Sequence, residues 1–241
     1  MVLILQLKHC MLMAVCILYK VIAFSSFKAL NFSIIKTKTI LRIAPNIKPC
    51  NANLIVFFIS SDDVISLTNA VLDGCDSILL SDEIAVGQYP VEAVTVADVT
   101  IREAEKIYDY NQEFSWADRT QAIAASASKL VSEINSKPIV ITSTGRAAFE
   151  LARFRPNADI IVFSHDESVL RKLALAWGVC PVGVLPAVPD IAQLVKLVVA
   201  AGIKSEMISD TDVVTIVHGF LTGVGGTTNT IQVLDLREYL A

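Results

Sequence analysis

The first 61 residues hold no Asp or Glu, while Lys8, Lys20, Lys28, Lys36, Lys38, Arg42 and Lys48 all fall there. Seven of the 20 basic residues and none of the 24 acidic ones therefore precede Asp62, so the rest of the chain is strongly acidic beneath an overall charge of −4. That balance excludes a nucleic-acid surface of any size. Histidine is scarce: His9, His165 and His218 make no ligand spacing. The five cysteines are odd in number and form no C-x-x-C pair, which argues against a metal site and predicts free thiols in a reducing compartment. Neither G-x-x-x-x-G-K-[ST] nor a G-x-G-x-x-G between strand and helix occurs. Apolar residues dominate 1–24, but Lys8, His9 and Lys20 interrupt them, and the run Cys10–Tyr19 is too short to span a bilayer. No stable membrane span is expected. A cytoplasmic location is the reading, with organellar targeting by the basic, acid-free residues 25–50 as the alternative.

What is present is concentrated between Pro138 and Gly183. Ile139–Thr142 and Ile160–Ser164 are continuous β-branched and apolar runs, the pattern of parallel strands buried on both faces. Arg146–Phe154 between them is helix-forming and stops at Arg155-Pro156. Asp166 or Ser164 caps the next helix, which ends at Gly178. The unit is βαβα. Its first turn, Thr142-Ser143-Thr144-Gly145-Arg146, sets three hydroxyls, a glycine and a guanidinium where a strand hands over to a helix N-terminus. Outward amide groups at such a place suit a phosphate, although Ser and Gly also serve there as plain caps.

Upstream, Asn69–Leu72 reads as a helix end stopped by Asp73-Gly74, Ser77–Leu80 as a buried strand, and Ser81–Pro90 as a loop. Pro90 opens a helix whose apolar face is Ala93, Val94, Ala97, Ile101, Ala104 and Ile107. After a polar link, Asp118 caps a helix through Asn135 with Ile123, Ala127, Leu130, Val131 and Ile134 on one face. Pro189-Asp190 starts another, stopped at Gly202. Asp212–Val217 and Thr230–Leu236 are the final strands, joined by the glycine loop Gly219–Asn229.

The stretch 69–94, NAVLDGCDSILLSDEIAVGQYPVEAV, resembles the pyruvate kinase segment N-A-V-L-D-G-x-D-x-x-M-L-S-G-E-T-A-x-G-x-Y-P-x-E-A-V. Thr144–Ile160 resembles that family's S-G-x-x-A-x-x-[LV]-[AS]-[RK]-[FY]-R-P-x-[AC]-x-I, Trp177–Pro181 its W-G-V-x-P, and Gly223–Val233 its closing G-T-T-N-x-[IM]-x-V. The matches run in order over about residues 67–238, and residues 1–66 show none. The resemblance implies an α/β fold. A three-layer C-terminal-like domain with a mostly parallel sheet (119–238) would follow a remnant of a (β/α)8 barrel, its last strand–helix unit (67–110), with 1–66 an unmatched basic, apolar segment.

The resemblance further implies phosphoryl transfer between phosphoenolpyruvate and ADP, giving pyruvate and ATP in glycolysis, with Mg²⁺ and K⁺ as cofactors of the intact enzyme. The family's catalytic cations and metal carboxylates lie on earlier barrel strands, so no catalytic or metal position is carried onto this chain. Glu83 alone matches an acid of an active-site-side loop, between two departures from the motif, Asp82 and Ile84. A solvated loop acid is its plainer reading. The regulatory site matches better. Thr142, Ser143, Thr144, Gly145 and Arg146 correspond to the family's phosphate-cradling turn, and Gly223, Gly225, Gly226 and Thr227 to the loop that closes over it. The expectation is a truncated copy that keeps mainly the regulatory domain, binds a phosphorylated small-molecule effector and is inactive by itself, with a homo-oligomer as a compatible state. The alternatives are a non-catalytic phosphometabolite-binding module and a decayed remnant. His218 is read as a structural strand-end residue, and an acid–base pair of His165 with Asp166 is rejected because strand neighbours point apart.

Overall fold

In a computed structural model, the described residues are 3–6, 55–57, 61–80, 82–85, 87–186, 188, 190–219 and 228–241. The glycines Gly223, Gly225 and Gly226, and Thr227 with them, lie outside these residues.

Two sheets form. In the smaller, β1 (Leu3–Gln6) runs antiparallel and β2 (Ile55–Phe57) parallel to the central β3 (Ser77–Leu80). Helix α1 (Ser61–Leu72) precedes β3 and ends at Gly74, whose φ of +83° a side chain would resist. The stretch read as a loop after β3 contains a short helix, α2 (Asp82–Ala85). Helix α3 (Pro90–Glu105) carries Pro90 in its first turn. Its face Ala93, Ala97, Ile101 and Ala104 closes a core with Leu67, Val71, Ile78 and Leu80. Ile107 falls beyond the helix and is exposed, so the apolar period ends one turn earlier than the sequence pattern indicates.

The larger sheet has the order β6–β5–β4–β7–β8, with β4 (Lys137–Ile141), β5 (Ile160–Ser164), β6 (Val179–Val184) and β7 (Val213–Gly219) parallel. The edge strand β8 (Thr228–Asp235) is antiparallel to β7. Helices α4 (Arg119–Ile134), α5 (Arg146–Arg153) and α6 (Glu167–Leu173) cover one face. Helix α7 (Ile191–Lys204) and the short α8 (Leu236–Tyr239) cover the other. This is the three-layer, mostly parallel architecture that the apolar strands predict.

Two local differences have plain causes. Helix α4 buries Thr120, Ala124, Ala127, Ser128 and Val131 and leaves Ile134 40% exposed. Its small residues, not its large ones, face the sheet, because they allow the helix axis to come close. Helix α7 continues through Gly202 to Lys204. A Cβ on Gly202 would lie 2.8 Å from Ile208 Cδ1, so glycine makes room for a packing neighbour and does not end the helix. Cys75 is buried and free, as expected of a thiol in apolar surroundings, whereas Cys180 is disulfide-bonded.

Candidate anion site at the sheet's switch point

The chain leaves β4 toward β5 and β6 on one side, then returns to lay β7 and β8 on the other. In an open α/β sheet the ligand crevice lies outside the carboxyl ends of the strands where this order reverses, between β4 and β7. The turn 142–145 opens there, and β7 ends on the neighbouring strand at Gly219. The candidate turn is thus placed by topology as well as composition.

Its geometry follows from three residues. Thr142 is buried, and its Oγ1 accepts a hydrogen bond from the Gly145 amide at 2.9 Å. Gly145 caps α5 with φ +86°, a left-handed conformation that turns the chain from strand to helix. A Cβ there would meet Val169 Cγ1 at 3.3 Å and Leu173 at 3.4 Å. Ser143 is half-buried and Thr144 exposed. The first amides of α5 have no helical carbonyl to donate to, that of Arg146 lies 3.5 Å from Thr144 Oγ1, and the positive end of the helix dipole stands at this turn.

Arg146 is already engaged. Its guanidinium pairs with Asp118 and lies 3.9 Å from Glu150 Oε1. Asp118 meanwhile caps α4, accepting from the Thr120 and Gln121 amides at 2.8 and 3.1 Å. Those amides, together with Arg146, hold its carboxyl below the ordinary range. The sequence signals the cap; nothing in it signals that the cap also holds the cation of a turn 28 residues away. Arg171 pairs with Glu167 at 2.9 Å on an exposed stretch of α6. Lys172 is exposed next to it. His165 and Asp166 go separate ways, His165 Nδ1 to the Leu185 carbonyl at 2.8 Å and Asp166 to the cap of α6. Glu83 lies in α2, far in sequence from the turn.

A second cluster joins β3 to the larger sheet. Arg155, 6% exposed and at φ +51°, donates to Asp76 Oδ1 at 2.9 Å and to the Gly74 carbonyl at 2.6 Å. Its guanidinium stands 4.9 Å over the Trp177 ring, which tilts against Tyr108 and Tyr110. Ser77 Oγ donates to the Leu175 carbonyl at 2.8 Å, and the Asn111 amide to that of Arg155 at 2.8 Å. Burial pushes the Asp76 carboxyl up against the opposing pull of Arg155. In the sequence Arg155 is only the residue before a proline, and its partner is 79 residues away.

Among the described residues no group of three or more His, Cys, Asp or Glu side chains is arranged to hold a metal ion. No described helix is long and apolar enough to cross a membrane.

Fold and turn together define a three-layer, mostly parallel α/β domain with a glycine-capped strand–helix turn at its switch point. The family model "Pyruvate kinase, alpha/beta domain" matches residues 121–234, and through this domain the chain belongs to the pyruvate kinase family. It is 34% identical to pyruvate kinase 2 of Synechocystis over 182 residues, 74% of this chain and 30% of that protein. Pyruvate kinase of Eimeria tenella is 34% identical over 177 residues, 70% and 33% of the two chains. That of Geobacillus stearothermophilus is 34% identical over 182 residues, 73% and 31%. The chain thus spans about a third of the length of the curated relatives it matches.

Proposed function

We propose that this chain serves as the regulatory part of a pyruvate kinase, binding a phosphorylated small-molecule effector between the turn Thr142–Arg146 and the loop Gly219–Asn229. The observation that carries the reading is the left-handed Gly145 cap, hydrogen-bonded to Thr142, at the sheet's switch point. Together they aim the start of α5 at the crevice, where amides and dipole favour an anion. The phosphate oxygens would be held by amides, by the hydroxyls of Ser143 and Thr144, and by Arg146 once it exchanges Asp118 for the ligand. Residues 67–110, on this reading, are the closing strand–helix unit of the family's barrel. The phosphoenolpyruvate-to-ADP transfer, with its Mg²⁺ and K⁺, belongs on this reading to the intact enzyme and not to this chain by itself, and a cytoplasmic setting follows from the family as part of the proposal.

Thermal shift and calorimetry with fructose bisphosphate, AMP, ribose 5-phosphate and glucose 6-phosphate test it. Binding to the folded state should raise the melting temperature by mass action, and Arg146→Ala should weaken affinity by roughly tenfold, the loss of one charge-assisted contact. A melting curve unmoved by all four at millimolar concentration rejects the site. A coupled assay of the 241-residue chain with phosphoenolpyruvate, ADP, Mg²⁺ and K⁺ should read background, since none of the family's catalytic cations has a counterpart in it.

One observation favours a second reading, a decayed site. Arg146 sits between the carboxylates of Asp118 and Glu150. A turn that had lost its ligand could keep its arginine in that way.

A further inference from the structure

We infer that the stretch 7–54 is tied to the larger sheet by a disulfide between Cys180 and one of its own cysteines, Cys10, Cys16 or Cys50, a redox-dependent clasp at the seam between the two sheets. The inference is independent of the anion-site reading. It starts from the cysteines. Cys180 is disulfide-bonded, and Cys75, the other cysteine among the described residues, is free. The chain has five cysteines, so the partner within it is Cys10, Cys16 or Cys50, all of which fall between β1 and β2.

The strand register brings the ends of that stretch to the same place. β1 ends at Gln6 beside Ser77, and β2 begins at Ile55 beside Ile78. Both strands flank β3, so the chain leaves and returns at one end of the small sheet, across two strand spacings of about 10 Å. The larger sheet meets the smaller one at that end. Ser77 Oγ donates to the Leu175 carbonyl at 2.8 Å, and Trp177 packs in the small sheet's core with Leu67, Ile78 and Leu80. β6 starts two residues after Trp177, and Cys180 is its second residue, 3% exposed and level with Ile161 of β5. A chain spans at most about 3.6 Å per residue, so Cys10, four residues past Gln6, reaches about 14 Å and Cys50, five before Ile55, about 18 Å. Cys16, ten past Gln6, reaches about 36 Å.

The chemistry sets when the bond exists. Forming it takes two electrons and two protons from the two thiols, and glutathione disulfide accepts both. One protein thiolate attacks it to give a mixed disulfide and one glutathione, and the second protein thiolate displaces the other glutathione. A reduced glutathione pool runs the exchange backwards. Cys75 does not compete, because burial keeps its thiol protonated, its pKa pushed up to about 11. With the bond closed, a loop of more than 100 residues is cross-linked in the unfolded chain, which favours the folded state. With it open, the Arg155–Asp76 pair and the Ser77–Leu175 bond hold the seam without a covalent link.

Peptide mapping of the full chain, equilibrated with glutathione disulfide and alkylated in denaturant without reductant, tests the assignment. A peptide pair joining Cys180 to Cys10, Cys16 or Cys50 is expected, with Cys75 alkylated. Dithiothreitol, which leaves both protein thiols free and becomes a cyclic disulfide, should lower the melting temperature of the wild type by roughly 4–16 °C. In Cys180→Ala it should leave the melting temperature unmoved, a comparison within one variant that holds whatever the substitution itself costs. Cys180 recovered as an alkylated thiol, or joined to a cysteine of a second chain, overturns the clasp. So does a wild-type melting temperature that dithiothreitol leaves unchanged, or one that it lowers equally in Cys180→Ala.

Discussion

Replacing Arg155 with Met removes the charge that faces Asp76 and keeps most of the side chain's apolar length. Arg155 and Asp76 are both almost fully buried in the seam between β3 and the larger sheet, and Arg155 also binds the Gly74 carbonyl and covers Trp177. Taking one partner from a buried ion pair costs about 3–5 kcal/mol, because the other is left as an uncompensated charge. At about 2–4 °C per kcal/mol for a chain of this size, the melting temperature should fall by roughly 6–20 °C. The loss should depend on pH in a defined sense. Burial already raises the Asp76 carboxyl, and Arg155 is what pulls it down. Without Arg155 the folded-state value rises further. A carboxyl raised on folding lends stability below its unfolded value, and that stability disappears as pH rises through the folded value. The deficit of Arg155→Met should therefore be largest near about pH 8 and shrink toward about pH 5, and Asp76→Asn in the same chain should recover part of it. Denaturant melts of the wild type, both single variants and the double variant across that range decide the matter. A deficit under about 1 kcal/mol, or one that does not change with pH, refutes the account of the seam as a buried, charge-compensated joint.

Gly145→Ala should cost about 1–2 kcal/mol by chemical denaturation, since φ is +86° and the new Cβ would press Val169, and it should weaken ribose 5-phosphate binding by more than Thr144→Ala does. Asp118→Ala should cost about 0.5–2 kcal/mol as a lost cap, whereas Asp118→Asn should keep the cap, free Arg146 and tighten phosphate binding severalfold. Because Asp118 is held below the ordinary carboxylate range, its contribution is present at neutral pH and fades as pH falls below about 4, so the alanine deficit should narrow in acid. The Cys75 thiol, pushed up to about 11 mainly by burial, should resist alkylation at neutral pH until the chain unfolds, as a time course with a thiol reagent with and without denaturant would show.

The sequence by itself determined the parallel strands, because strands buried on both faces must be apolar nearly throughout and Ile139–Ile141 and Ile160–Phe163 are continuously apolar. It also determined the cap at Asp118, a helix start at Pro189-Asp190 and the strand–helix turn at 142–146, since capping and turning are local events decided by a few adjacent residues, while the structure chose Asp166 over Ser164 as the cap of α6. What lay beyond it were relations between distant residues. That α4 would bury Thr120, Ala124, Ala127 and Ser128 was decided by how closely a helix can approach a sheet. Only the strand order brought Thr142 and Gly219 to the carboxyl ends of two adjacent strands. Only packing turned Arg155 from a residue ahead of a proline into the partner of Asp76, and left His218 Nε2 buried without a partner among the described residues. Local conformation follows from local chemistry. Which charges meet, and which polar atom is left without a partner, follows from the three-dimensional arrangement that excludes water from between them.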